Sequence, residues 1–382
     1  MEIFKELLHV RNDIPEKFNE REIIFKEWPR VYNIFMNKIV PPYEVLIHSS
    51  SKCNLHCNWC IGKNVDEVVN TIPDKLKNVE NMIKLVKGIV DYKKNVTYVE
   101  DGFEKEIELN VKNVSYSGII GEPLVAKAAT LAGIDYLNKH GVRTGLFTNG
   151  LLMQEDTYNV LKDAGYVLVS IDAGNNETYY KSKCIGLDDR INYFDKVINN
   201  VNGLIKYSKE HNGKVDVNVG FVINNYNYKE IYDLALVLKR IGVHYLRLKT
   251  DIASIMNLSS EQKKMASQQI QKVKNELEDE KFKIVCIHRI YEDGEKQRDF
   301  TVCRINKLYG AVGTDGYLYA CNYHPSRDGV KYVSALQLGF ENAWESTEKN
   351  ICPESMCPKV CDPFKNRANS LMEEIYEKFM NR

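Results

Sequence analysis

The sequence carries no surplus of charge of either sign: 52 Lys and Arg stand against 52 Asp and Glu, so the formal net charge is zero. General affinity for a nucleic-acid backbone needs a basic excess, which is absent here. No apolar run approaches the roughly 18 residues that would suggest a membrane span. The opening residues, MEIFKELLHVRNDIPEKF, mix acids with bases and lack the basic-then-apolar layout of a secretory signal. A cytoplasmic protein is expected, with no nucleic-acid partner and no membrane. Cysteine is also sparse, since ten in 382 residues are too few for a disulfide scaffold. Their placement is uneven: three lie between 53 and 60 and five between 303 and 361, whereas Cys184 and Cys286 stand alone. Two groups suggest two inorganic sites. Apolar residues make up 44% and charged residues 27%, close to a soluble globular average, so overall disorder is disfavoured.

At about 150 residues per domain, the length allows two or three units, or one large α/β barrel with an appendage. Residues 1–42 read as a helical lead-in, with Trp28, Val31, Ile34 and Phe35 at helical spacing before Pro41-Pro42. From Tyr43, short β-branched or aromatic runs alternate with longer stretches of helical period. Strands are predicted over Glu44–Ser49, Asn110–Ser117, Arg143–Thr148, Val167–Ile171, Val215–Ile223 and Val243–Lys249. Helices are predicted near 76–92, 124–139, 153–163, 188–208, 227–240 and 260–280. Six such units imply a parallel sheet, because parallel neighbours need a crossover of helical length. The fold class is therefore α/β: a partial (β/α)6 TIM-like barrel over 43–284, with a small cysteine-rich β-hairpin/helix domain over 285–382. In such barrels chemistry gathers at the C-terminal strand ends. Val96–Leu109 reads as an inserted hairpin turning at Asp101-Gly102 and is expected to lean over the barrel mouth.

The first predicted strand runs into Ser51-Lys52-Cys53-Asn54-Leu55-His56-Cys57-Asn58-Trp59-Cys60. Three close thiols leave a tetrahedral zinc site incomplete, although His56 offers a fourth ligand. A 4Fe-4S cluster held by three thiolates instead keeps one iron open for an external ligand.

Three cysteines separated by three and then two residues, after a barrel's first strand, resemble the signature of the radical S-adenosylmethionine (radical SAM) superfamily. Other strand ends are similar to that family in the expected order. Gly118-Ile119-Ile120-Gly121-Glu122-Pro123 resembles its Gly-Gly-Glu-Pro segment, which holds the methionine amino group; Ile120 departs from it, whereas Gly121, Glu122 and Pro123 match. Thr148-Asn149-Gly150 looks like its Thr-Asn-Gly turn. Ser170-Ile171-Asp172 resembles its Ser-Ile-Asp segment near the SAM ribose and carboxylate, and Asn224 is a further candidate for that pocket. The resemblance implies cluster ligation by Cys53, Cys57 and Cys60, with Trp59, Gly121, Glu122, Pro123, Thr148, Asn149, Ser170, Asp172 and Asn224 around the cofactor. Each segment alone also fits a structural role, such as a helix N-terminal acid or a common turn.

In the tail, Gly313-Thr314-Asp315-Gly316-Tyr317 is a hairpin signal that would bring Cys303 and Cys321 together. Cys352, Cys357 and Cys361 follow on a proline-punctuated loop. The Cys, Gly, four residues, Cys element with Gly316 resembles SPASM domains and their shorter twitch variants, which carry auxiliary iron-sulfur clusters. Five thiols fill only one set of four, so one auxiliary 4Fe-4S cluster is implied, on Cys303, Cys321 and two of Cys352, Cys357 and Cys361. The SPASM pattern favours Cys357 and Cys361. A four-thiolate zinc knuckle is the competing reading.

The resemblance implies an oxidoreductase or isomerase that reductively cleaves SAM to a 5'-deoxyadenosyl radical and takes hydrogen from a substrate carbon. Two fates of the substrate radical fit this sequence. The auxiliary cluster accepts a second electron, giving oxidation, or Cys184 returns hydrogen as a catalytic thiol, giving epimerisation. A packing role competes for Cys184, and Cys286 reads as buried. Arg247 and Lys249 share one face of the sixth strand and could hold an anionic group or stay solvated. The short lead-in favours a small hydroxyl-rich substrate such as a sugar or aminocyclitol. Maturation of a ribosomal peptide is the alternative, and flavodoxin or ferredoxin is the expected reductant class. An electron-transfer or zinc-structured binding protein is the reading from another class.

Overall fold

The computed structural model describes residues 20–60, 73–118, 121–251, 257–286, 300–321, 331–347, 354, 357, 361 and 363–380. Along the chain, strand β1 (Glu44–Ile47) precedes a hairpin of β2 (Lys93–Glu100) and β3 (Phe103–Asn110). Then come β4 (Asn113–Tyr116), β5 (Arg143–Thr148), β6 (Tyr166–Ser170), β7 (Asp216–Ile223) and β8 (Tyr245–Thr250). The six predicted barrel strands are β1 and β4 through β8, paired parallel in sequence order.

Two further strands join this parallel run. β9 (Lys283–Cys286) pairs with β8, so the division expected at residue 285 falls inside a barrel strand. β10 (Tyr309–Val312), from the cysteine-rich tail, pairs parallel with β1 at the other edge, Glu44 opposite Tyr309 and Ile47 opposite Val312. The tail therefore continues the barrel sheet. Its hairpin turns at Asp315-Gly316, where Gly316 holds φ +77°, and returns as β11 (Tyr317–Tyr319) to meet β12 (Lys331–Ser334).

Helices α1 (Glu20–Lys26) and α2 (Trp28–Phe35) open the described chain. Between the strands lie α3 (Val79–Asp91), α4 (Lys127–Lys139), α5 (Glu155–Leu161), α6 (Asn176–Lys183), α7 (Tyr193–Glu210), α8 (Ile231–Ile241) and α9 (Ser260–Glu276). α7 shows why the rhythm was legible: Phe194, Val197, Val201, Leu204 and Ile205 recur at helical spacing and are buried in one core with Val167, Val169, Val217 and Val219. The alternate strand positions, on the opposite face of the sheet, include polar groups. There the Ser115 hydroxyl donates to Glu44 Oε1 and lies 2.8 Å from the Tyr166 hydroxyl.

The lead-in is built into the fold. Trp28, Val31, Ile34 and Phe35 form a second core with the terminal helix, in which Phe35 meets Tyr376 at 5.3 Å and Trp28 meets Phe379 at 6.1 Å between ring centroids. α2 also fastens the hairpin, with Trp28 Nε1 donating to the Val99 carbonyl and Asn33 Nδ2 to the Thr97 carbonyl, both at 3.0 Å. This corrects the expected place of that hairpin. It connects the end of α3 to the start of β4, at the N-terminal ends of the strands and opposite the barrel mouth. Buried Arg30 ties this end together through the Pro41 carbonyl and, at 3.0 Å, the Asn110 carbonyl.

Candidate active site

The cysteine loop leaves β1 and is held from three sides. Asp74 accepts from Ser50 Oγ at 2.9 Å and from the Ser51 amide at 2.8 Å, fixing its first residues. The C-terminal end of α6 supplies carbonyls: Lys183 accepts from the His56 amide at 2.9 Å and Ser182 from the Asn58 amide at 3.0 Å. From the end of β5, Asn149 Nδ2 donates to Asn54 Oδ1 at 2.7 Å and reaches Cys53 Sγ at 3.9 Å. Trp59 is buried within the loop. Burial pushes the Cys57 thiol up to about 12, against the pull of the Lys183 charge.

Gly121 is required sterically. A Cβ there would meet the Ser50 carbonyl at 2.1 Å and the Lys52 carbonyl at 2.9 Å. That approach brings Glu122 beside the cysteine loop, its amide donating to the Lys52 carbonyl at 2.9 Å. The Glu122 carboxylate is buried: Oε1 accepts from the Leu124 amide and Thr148 Oγ1, at 3.0 and 2.7 Å, and Oε2 from the Asn149 amide at 2.8 Å. Burial raises its pKa against these bonds. Pro123 follows as the first residue of a 3-10 turn, and its carbonyl accepts from Thr130 at 2.8 Å. Glu122, Thr148 and Asn149, from two strand ends, thus form one bonded unit. Ile119 and Ile120 lie outside the described residues.

On the other side of the cysteine loop, Asp172 adopts φ +58°, a left-handed conformation that Asp tolerates better than most residues. Its Oδ2 accepts from Ser170 Oγ at 2.5 Å and Lys183 Nζ at 2.8 Å, and its Oδ1 from the Val222 amide at 2.7 Å. Lys183 also donates to the Ser170 carbonyl at 2.6 Å, and the Lys183–Asp172 pair is almost wholly buried, 2% and 1% exposed. Burial alone would lower the Lys183 pKa, but Asp172, Tyr179 and Cys57 together outweigh it and the net shift is upward. Asn224 is buried nearby; its Oδ1 accepts from the Tyr226 amide at 2.9 Å, so the side chain shapes a turn.

Sequence reasoning missed Lys183 and Asp74. The signal for Lys183 was weak: α6 reads NETYYKSK, with no apolar stripe, though Asn175 caps it by accepting from the Thr178 amide at 3.0 Å. The same helix corrects the expected setting of Cys184. That residue is the C-cap of α6 in place of a mouth loop, and it is fully buried in the apolar core, its thiol pushed up to about 11 by burial. Cys286 is only half-buried.

The tail holds four described thiols. Burial, followed by the charges of Cys321, Cys357 and Cys361, raises the Cys303 thiol far above its ordinary range. These thiols come from separate places: Cys303 precedes β10, Cys321 follows β11, and Cys357 and Cys361 precede the terminal helix α11 (Pro363–Met380, leaving α10 for Phe340–Glu345). Cys352 lies outside the described residues. Among the described residues, no three His, Cys, Asp or Glu groups converge on the point of a single ion. The fit of both cysteine groups to an iron-sulfur cluster therefore rests on the donor chemistry, three thiols beside a Gly121 cradle and, in the tail, Cys303 with the charges of Cys321, Cys357 and Cys361 acting on it. No described helix is long and apolar enough to cross a membrane.

The family model described as the radical SAM superfamily matches residues 47–238. An uncharacterized protein of Methanocaldococcus jannaschii is 26% identical over 169 residues, 44% of this chain and 45% of that protein, so the match spans less than half of either. Among solved structures, Streptococcus suis SuiB bound to S-adenosylmethionine is similar with a TM-score of 0.53 at 14% identity, over 90% of this chain and 75% of that one. SuiB bound to its precursor peptide SuiA gives 0.54 at 14% identity, over 96% and 81%. AnSMEcpe with bound AdoMet gives 0.55 at 17% identity, over 89% and 99%. At these identities the likeness is one of fold. With a family match over half its length, lying on the strand ends that carry the cysteine loop, Glu122 and Asp172, the chain belongs to the radical SAM superfamily.

Proposed function

We propose that this protein is a radical SAM oxidoreductase that removes two electrons from a small hydroxyl-bearing substrate. Family membership implies a 4Fe-4S cluster and SAM, and Cys53, Cys57 and Cys60 are the residues to hold the cluster. When bound, these groups supply reductive cleavage of SAM and a carbon radical able to take substrate hydrogen. Cys303, Cys321, Cys357 and Cys361 are the residues to hold a second cluster, which supplies an electron-accepting centre.

The chain's own contribution is placement. Asn149 donates towards Cys53 while its amide holds Glu122, so the cluster loop and the carboxylate keep a fixed relation. Glu122 Oε2 has one bond among the described contacts, and a carboxylate oxygen accepts two. The SAM ammonium is the donor that suits the remaining site. Lys183 holds the Ser170–Asp172 turn and, through its carbonyl, the cysteine loop. What supports the oxidative reading is a second set of thiols, Cys303 and Cys321 flanking a tail hairpin whose strand β10 continues the barrel sheet, with Cys321, Cys357 and Cys361 near enough for their charges to act on Cys303. Burial of Cys184 in the apolar core supports oxidation over hydrogen return from that thiol. A polar inner face with buried His48, Ser115, Ser117 and Asn218 supports a hydroxyl-rich substrate.

The test is anaerobic turnover with SAM and dithionite, or reduced flavodoxin or ferredoxin, against sugars, aminocyclitols and peptides, following 5'-deoxyadenosine and ketone. Cys303→Ser and Cys321→Ser are expected to release 5'-deoxyadenosine without forming ketone. Ketone at the wild-type yield from these variants contradicts the oxidative role of the tail. Stimulation by peptides alone replaces the proposed substrate with the maturase alternative.

A further inference from the structure

Lys365, near the start of α11, is buried, with 8% of its surface exposed, although lysine rarely is. Its Nζ lies 3.8 Å from Cys321 Sγ, within hydrogen-bond reach of sulfur, and 5.3 Å from the centre of the Tyr309 ring on β10. Its charge is also felt inside the barrel, favouring the ionised form of Glu44 and opposing protonation of His48. Tyr309 lies opposite Glu44 in the β1–β10 pairing, so Lys365 sits beside the edge where the tail joins the barrel sheet as well as beside a tail thiol.

A cation held against a thiolate ligand stabilises the form of a cluster that carries the extra negative charge, which is the reduced one. Hydrogen bonds to the sulfurs and local charge are among the levers that set iron-sulfur potentials. Burial strengthens the effect, since water screens the charge poorly there. We propose that Lys365 is a positioning residue that raises the reduction potential of the tail cluster and so makes it the better electron acceptor. This rests on the reading that the tail thiols hold a cluster.

The experiment uses a parent in which Cys53, Cys57 and Cys60 are all alanine, so that only the tail cluster reports. Iron and sulfide are counted first, and the potential is then read by electron paramagnetic resonance during a redox titration. Lys365→Met, Lys365→Gln and Lys365→Arg are compared at equal iron content. Met and Gln are expected to lower the reduced-to-oxidised ratio at a fixed poise about tenfold, equivalent to about 59 mV for one electron. Arg, which keeps the charge, is expected to stay close to the parent. An iron-replete Met or Gln variant with the parent's potential overturns the inference and leaves the cluster reading standing. A parent that holds no cluster overturns that reading and the inference with it. Loss of a packing contact alone would alter iron content or melting, not the potential of the loaded site.

Discussion

Cys53, Cys57 and Cys60 lie on one loop after β1, pinned by hydrogen bonds that it donates to Asp74 and to the end of α6 and by one that Asn149 donates to it. Cys303, Cys321, Cys357 and Cys361 are scattered along the tail, and the hairpin and the terminal helix bring the last three near enough for their charges to act on Cys303. The first group is local in sequence and rigidly backed. The second exists only once the chain has folded, and its backing is the core between α2 and α11. Their charges differ as well. The buried cation nearest the first group is committed to Asp172, whereas Lys365 approaches a tail thiol directly. Loop geometry is thus the vulnerable property of the barrel site, and tertiary assembly that of the tail.

Substitutions should separate the two. Lys183→Met leaves Asp172 as a buried, unpaired charge and is expected to cost about 3–5 kcal/mol, read as a fall in urea midpoint. Adding Asp172→Asn should recover much of that loss; a purely additive double variant would show that the pair is not the cause. Phe35→Ala opens the core between α2 and α11 and is expected to cost about 3 kcal/mol. It should lower tail iron while leaving 5'-deoxyadenosine release intact, and equal loss at both sites would erase the distinction between them.

His48 provides a pH test. Burial lowers its pKa to about 4, so below the ordinary histidine value of 6.5 the unfolded chain takes a proton that the folded chain refuses. Stability should fall as pH drops from 6.5 towards 4 and then level, with up to about 3 kcal/mol at stake. His48→Gln should flatten that slope in acid-range melting curves. The smallest effect belongs to Asn149→Ala, which removes the bond to Asn54 and the reach to Cys53 at about 1 kcal/mol. Its signature is a changed signal from the barrel cluster with an unchanged tail, and altered tail spectra would contradict the assignment.

The parts of the fold legible in the sequence are those specified locally. The barrel strands could be read from β-branched runs, and α7 from an apolar stripe. The helix α6 could not, because it buries only Tyr179, Ser182 and Lys183 beside its cap, which leaves no periodic apolar pattern. β10 is only four residues, and its place beside β1 is set by a pairing remote in sequence. For the same reason the turn at Asp101-Gly102 does not reveal which end of the barrel the hairpin occupies: the turn is local, but its anchors on Trp28 and Asn33 are not. The meeting of Glu122, Thr148 and Asn149 could be read because each ends or follows a strand, which fixes where they come together.

Iron and acid-labile sulfide per chain after anaerobic reconstitution test the two-site account most directly. About two 4Fe-4S equivalents are expected in the wild type, about one after Cys53, Cys57 and Cys60 are replaced together, and about one after Cys303 and Cys321 are replaced. One equivalent in the wild type, lost with the barrel cysteines and accompanied by zinc in the tail, would contradict it.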